Sequence, residues 1–454
     1  MKLTIRFFCE AWLLVIILSF CSPVFAQSGG RDYSRLIERY TNSDLASLEG
    51  NTLYQLAAAY EETMSYPQAL AAYRVCYERN PDEISLLNDL ARVCTKSGLT
   101  REAIGYLEKA VAQREEDHYL RYKLAEANYN AGEYGGAAEL CVDLLDRDYN
   151  HPHVWLLMGQ SCQAMGLADA ALSQYWEACR QQPHNRASAL KYLNLFLTFR
   201  ETDPIVNQEA ISVCDSVLIY NPSDPDIRFA KAILHYRITD FKGADDIFSE
   251  MLIEGDSLPS VVRYDGMARV HINRNMDAIP LLTLAYQRDT TDYLVLMALA
   301  NANLSLSRHT EAETFLNKAE ETLKLEERHF SIETTRGNLY YKANRWKESV
   351  LHYYNAYQLY NNSDLTVLAS AYSVSIKEQP VLNEKSLFLL YTLVNRALEL
   401  RHPLPNKRYY LAELEKYLEG AFFGGSETLP MRSPTGRTAT VTMEKLKEMI
   451  DRLQ

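Results

Sequence analysis

The chain carries ten histidines, 59 acidic and 47 basic residues, yet their spacing assembles none of the familiar catalytic sets. It holds no His-Glu-x-x-His pair, no phosphate-cradling glycine loop and no Gly-x-Ser-x-Gly elbow. His151 and His153 flank Pro152, and two imidazoles in one loop are too few for a metal site. Beyond residue 26 lie Cys76, Cys94, Cys141, Cys162, Cys179 and Cys214, without zinc-ligand spacing. Five of these six fall on or beside small apolar positions, where Cys behaves as a small hydrophobe. If bridges form, Cys141 with Cys162 and Cys76 with Cys94 are the pairs to test. The expectation is a chain with no catalytic residue, no metal and no cofactor, whose chemistry is recognition. A net charge of −12 argues against nucleic acid and anionic membrane surfaces, because phosphate binding needs clustered positive charge.

The elements that would position a recognition surface are written in a repeat. Ala57, Ala91, Ala125 and Gly159 lie 34 residues apart, as do Ala232, Gly266 and Ala300. Twelve residues after each comes another small residue: Ala69, Ala103, Ala137, Ala171, Ala244, Ala278 and Ala312, with Gly337 and Ser349 forming an eighth pair. A fixed period of this length marks stacked helix pairs, with small residues where two helices cross. The register slips once, near Glu201-Thr202-Asp203-Pro204, where a longer inter-helix loop is expected. Pro280 implies either a late start or a kink in its helix.

The clearest unit reads Trp155, Met158, Gly159, Cys162, Ala171, Tyr175, Ala178 and Pro183. This pattern resembles the tetratricopeptide repeat, with Gly159 and Ala171 at the crossing and Tyr175 and Ala178 facing the next repeat. The resemblance implies an all-α, right-handed superhelical solenoid of about nine tetratricopeptide helix pairs over residues 50–361, with terminal capping helices. It further implies that the first helix of each pair lines the concave groove. Carried over position by position, the groove residues are Tyr54, Asn88, Arg92, Tyr122, Lys123, Glu126, Tyr129, Gln160, Lys191 and Tyr192. Phe229, Tyr236, Arg237, Arg263, Asn301, Asn338 and Tyr341 continue the series. Tyr and Arg are frequent binding anchors, and Asn can hydrogen-bond a peptide backbone. Some members clamp a terminal carboxylate with Lys and Asn; here Asn88, Arg92 and Lys123 match in part, while Tyr54 and Ala58 depart from that pattern.

The flanks read differently. Lys2 and Arg6, the apolar run Trp12 to Phe20 and Val24-Phe25-Ala26 form a signal peptide over residues 1–26, cleaved before Gln27. Leu18-Ser19-Phe20-Cys21 resembles a lipoprotein box, but bulky Phe20 disfavours lipidation at Cys21. Residues 27–49 read as an N-terminal capping helix and 362–423 as degenerate C-terminal helices. The Gly, Ser, Thr and Pro of residues 424–440 read as a flexible linker, and 441–454 as an amphipathic helix with Met443, Leu446, Met449, Ile450 and Leu453 on one stripe. The mature chain has no stretch long enough to span a membrane. Together these features predict an exported, periplasmic, non-enzymatic scaffold or adaptor that binds a protein or peptide in its groove. The alternative is an outer-membrane lipoprotein taking part in nutrient (glycan) capture, against which stands the nearly uninterrupted array.

Overall fold

The computed structural model describes residues 27–199, 203–256, 258–323, 329–359, 364–379, 383–424 and 427–453. The expected signal peptide and Cys21 lie outside these residues, as do Glu201 and Thr202 of the expected insertion. The chain divides into two compact units, residues 1–200 with 215–222 and residues 201–214 with 223–454. The division falls at the point where the 34-residue register slips.

In the first unit, α1 (Gln27–Tyr40) precedes the helix pairs α2/α3 (Gly50–Glu62, Tyr66–Arg79), α4/α5 (Ile84–Lys96, Thr100–Gln113), α6/α7 (His118–Asn130, Tyr134–Asp146) and α8/α9 (Pro152–Ala164, Ala168–Gln181), then α10 (Arg186–Thr198). Each helix packs on its sequence neighbour. The repeating small residues sit at those contacts: Ala57, Ala69, Ala103, Ala125, Ala137 and Ala171 are fully buried. Gly159 shows why size is limited there. A Cβ on it would lie 2.6 Å from the Tyr175 ring and 3.3 Å from the Ala171 carbonyl. Tyr175 therefore covers the first helix of its own repeat, where the sequence pattern assigned it to the next, and its hydroxyl donates to Gln163 Oε1 at 2.8 Å.

Every hairpin turn uses one left-handed residue seven positions after the small one: Met64, Gly98, Gly132 and Gly166 in this unit. The next residue returns an N–H to the helix, as in Leu99 N to Cys94 O at 2.8 Å, which satisfies carbonyls left open at the helix end. Several first helices start on an acid or amide cap; Asp117 accepts from the N–H groups of Tyr119 and Leu120. All six described cysteines are buried, and none is joined in a disulfide.

The second unit contains most of α11 (Pro204–Leu218), then α12/α13 (Pro225–Arg237, Phe241–Ile253), α14/α15 (Pro259–His271, Asn275–Arg288), α16/α17 (Tyr293–Ser305, His309–Glu321) and α18/α19 (His329–Lys342, Trp346–Leu359). The left-handed turn recurs at Thr239, Asn273, Ser307 and Asn344. Pro280 neither delays nor ends its helix: α15 begins at Asn275 and runs through it.

Three further helices, α20 (Leu365–Glu378), α21 (Glu384–Leu400) and α22 (Lys407–Gly424), follow the last pair. The expected linker is corrected here. Within residues 424–440 the chain forms β1 (Thr428–Arg432), a five-residue turn and the start of β2 (Thr438–Thr442), paired antiparallel with Leu429 opposite Val441. Gly436, at φ +91°, closes the turn, and Ser433 accepts the Arg437 N–H through its Oγ. Ser433, Pro434 and Gly436 are turn residues, whereas Pro430 pairs with Thr440 inside the strands, and Met431 and Val441 are turned inward. Val441 thus belongs to a strand, and the terminal helix α23 (Met443–Leu453) starts two residues later. Its stripe of Leu446, Met449, Ile450 and Leu453 is buried in one core with Leu390, Leu393 and Leu414.

Candidate functional site

In the first unit, α4 and α6 face one another across a cavity of about 250 Å³, floored by Ala91, Leu107 and Ala127. From α4 come Asn88, Arg92, Thr95 and Lys96; from α6 come Tyr119, Lys123, Glu126 and Asn130. Both sets follow helical spacing, so one face of each helix is presented to the same space. Four residues expected to face the groove, Asn88, Arg92, Lys123 and Glu126, are thereby brought together.

Behind this wall two buried acids fix the cations. Arg92 donates through Nε and Nη2 to Glu61 at 2.6 and 2.8 Å, and through Nη2 to Asp89 at 2.8 Å. Lys96 Nζ reaches Glu61 at 3.1 Å. The Tyr54 hydroxyl donates to Asp89, and the Tyr73 hydroxyl lies 3.4 Å from Glu61. Burial works against the Glu61 charge, but hydrogen bonds from Arg92 and Lys96 outweigh it and hold the carboxyl below its usual range. The Glu61 hydrogen bond likewise keeps the Arg92 guanidinium firmly protonated. On the other wall Lys123 pairs with Glu126 at 2.7 Å and sits 5.6 and 5.8 Å from the ring centres of Tyr119 and Tyr122.

Two cations from one helix and one from the other therefore flank a small cavity, between the amides Asn88 and Asn130. Such a site can take an anionic or carbonyl oxygen on the cations and hydrogen-bond a peptide group with the amides. Because Arg92 is already held by Glu61 and Asp89, little of its side-chain freedom remains to be lost on binding.

The remaining expected residues are placed elsewhere. Tyr54 serves the Asp89 network and meets Tyr73 edge to face at 5.6 Å. Tyr122 and Tyr129 are half-buried against the core of the third pair. Gln160 is half-buried on α8 and Lys191 is exposed on α10. Tyr192 does not face a groove: it is 3% exposed and stacks on Phe196. The buried stripe of α10 runs Ala189, Tyr192, Leu193 and Phe196.

In the second unit Tyr236 packs edge to face with Phe241 and Tyr264, beside Phe229. Arg263 pairs with Asp292 and lies 4.9 Å from the Tyr264 ring centre. Arg237 and Asn301 are half-buried. Exposed Asn338 accepts the Tyr353 hydroxyl at 2.6 Å, and Tyr341 takes Lys377. Sequence reasoning missed Thr95, Lys96, Tyr119 and Asn130. Lys96 is four residues after Arg92, and Tyr119 and Asn130 lie four before and seven after Lys123, so extending each helical face would have found them.

A family model described as tetratricopeptide repeat matches residues 95–161, which include all of α5, α6 and α7. This stretch of the chain carries the tetratricopeptide repeat. No curated protein matches the chain. Solved structures similar to it include a tetratricopeptide repeat protein from Parabacteroides merdae ATCC 43184, at 13% identity and TM-score 0.34 over 60% of this chain and 99% of that one. YrrB, described as having an unusual peptide-binding site, is similar at 17% identity and TM-score 0.31 over 44% and 97%. The human IFIT1 dimer with m7Gppp-AAAA is similar at 15% identity and TM-score 0.39 over 86% and 94%. Among the described residues, no helix is long and apolar enough to cross a membrane.

Proposed function

We propose that this protein is an exported, periplasmic, non-enzymatic scaffold that binds an extended segment of a partner protein along its first helices. The observation that carries the reading is the convergence of Asn88, Arg92, Lys96, Lys123 and Asn130 on one cavity too small for a folded domain and suited to a peptide group. Export is supported by the residue 1–26 pattern alone, and the acidic balance favours a protein partner over nucleic acid.

The test places a photo-crosslinking residue at Asn130 of the full chain in its native envelope, with and without Asn88→Ala and Lys123→Ala. Removing a hydrogen bond to a charged group costs about 1.5–3 kcal/mol, so capture should fall by roughly ten- to a hundredfold. Capture undiminished in both variants would reject the cavity as the binding surface. Mass spectrometry of the mature amino terminus should give Gln27; a diacylated Cys21 would move the protein to a membrane anchor and refute the soluble periplasmic form.

A further inference from the structure

The second unit holds a pair of acids that the recognition surface does not use. Asp245, on α13, and Asp265, on α14, are 2% and 0% exposed. Arg269 Nε lies 2.9 Å from Asp245 Oδ1 and 3.2 Å from Asp265 Oδ1, so a single nitrogen bridges the two carboxyls.

The charges around the pair do not suffice for two anions. The Arg269 side chain is 14% exposed, and its Nη2 bonds Asp265 Oδ2 at 2.8 Å and Ser249 Oγ at 2.9 Å. Arg274, just before α15, reaches Asp245 Oδ2 at 2.6 Å but is 46% exposed and divided with Asp277 at 2.9 Å. From α12, Arg228 is taken by Glu250 and Glu254 on α13, and His235 by Asp240. From α16, Asp292 is taken by Arg263. One largely buried guanidinium and a half-exposed second one, itself divided with Asp277, thus serve two fully buried carboxyls, and like charges at this range disfavour double ionisation.

We propose that Asp245 and Asp265 share one proton that ties α13 to α14 and α15, and that its loss at neutral to alkaline pH loosens these helices, making the second unit a pH-responsive clamp. The asymmetry of the site names the proton's main residence. Burial, then the neighbouring Asp245 carboxylate, push Asp265 up to about 7, although Arg269 pulls the other way. Asp245 faces both guanidinium groups; burial opposes its charge, but these groups outweigh it and hold it below the usual range.

An unfolded aspartate releases its proton near pH 4, so between about 4 and about 7 the folded chain holds one proton more than the unfolded chain. The stability this adds is fully present in acid and is lost as the pH rises through about 7. The full chain should therefore melt roughly 3–8 °C lower at about pH 8 than at about pH 5.5, and Asp265→Asn should reduce that difference to below about 2 °C. Infrared difference spectra should show a protonated-carboxyl band that bleaches through neutrality in the unaltered protein and is missing from Asp265→Asn. Equal pH dependence in the two proteins, or no protonated carboxyl in the unaltered chain at about pH 6, would overturn the proposal. The infrared measurement on the unaltered chain decides the matter even where the variant does not fold.

Discussion

Met64 and Thr239 occupy left-handed backbone, at φ 59° and 63°, in turns where Gly98, Gly132 and Gly166 hold the same position without a Cβ. An L residue there meets its own carbonyl, and a β-branched one more so. Met64 is 74% exposed, so its side chain contributes little burial. Met64→Gly and Thr239→Gly should each raise stability by about 0.5–1 kcal/mol, less what glycine adds to unfolded-chain entropy, measured by urea denaturation. At this scale the sequence was only partly readable. Arg92 and Lys123 were visible as a helical face, and Asp89 lies three residues before Arg92 on the same helix, but Glu61, which fixes Arg92 most firmly, comes from packing of α2 on α4 that no single-helix pattern encodes. Tyr192 failed because its large apolar ring suits a core as well as a groove, and burial decided which.

Within the helix pairs the tightest approach is between a small residue on the first helix and the side chain sixteen positions later. Gly337 meets Tyr353 as Gly159 meets Tyr175, with 2.7 Å from a built Cβ to the ring. Gly159→Ala should cost about 1–2 kcal/mol in thermal or chemical unfolding, and Tyr175→Leu in the same chain should recover part of it. The cost stays moderate because Ala57 and Tyr73 occupy the equivalent slots of the first pair, so a wider seat exists. Such pairs were legible because close packing leaves a strict period. The β-hairpin was not: its Gly, Ser, Pro and Thr compose turns, strands and linkers alike, and only the inward seating of Met431 and Val441 on a helical core separates these outcomes.

For the whole molecule, the repeat period gave the all-α class, and the slip near residue 201 marked where the chain divides into two units. The order of helices past residue 365 was readable from apolar stripes, but their closing by a strand pair was not. Met431, Val441, Leu446, Met449, Ile450 and Leu453 share a core with residues of α19, α20, α21 and α22. A chain ending at residue 426 should lose this cover, melt at lower temperature and scatter light as it self-associates through the bared leucines, which a concentration series checks.

The buried thiols have a use outside recognition. Burial pushes Cys94 up to about 11 and Cys141 and Cys179 up to about 12, and it raises Cys76 and Cys162 as well, so in the folded state they are poor nucleophiles. These five cysteines are spaced along the helix pairs of one unit, each silent until its own pair opens. The sequence thus carries an internal set of reporters, and the rate at which each thiol is alkylated would read out, pair by pair, how often that part of the stack breathes.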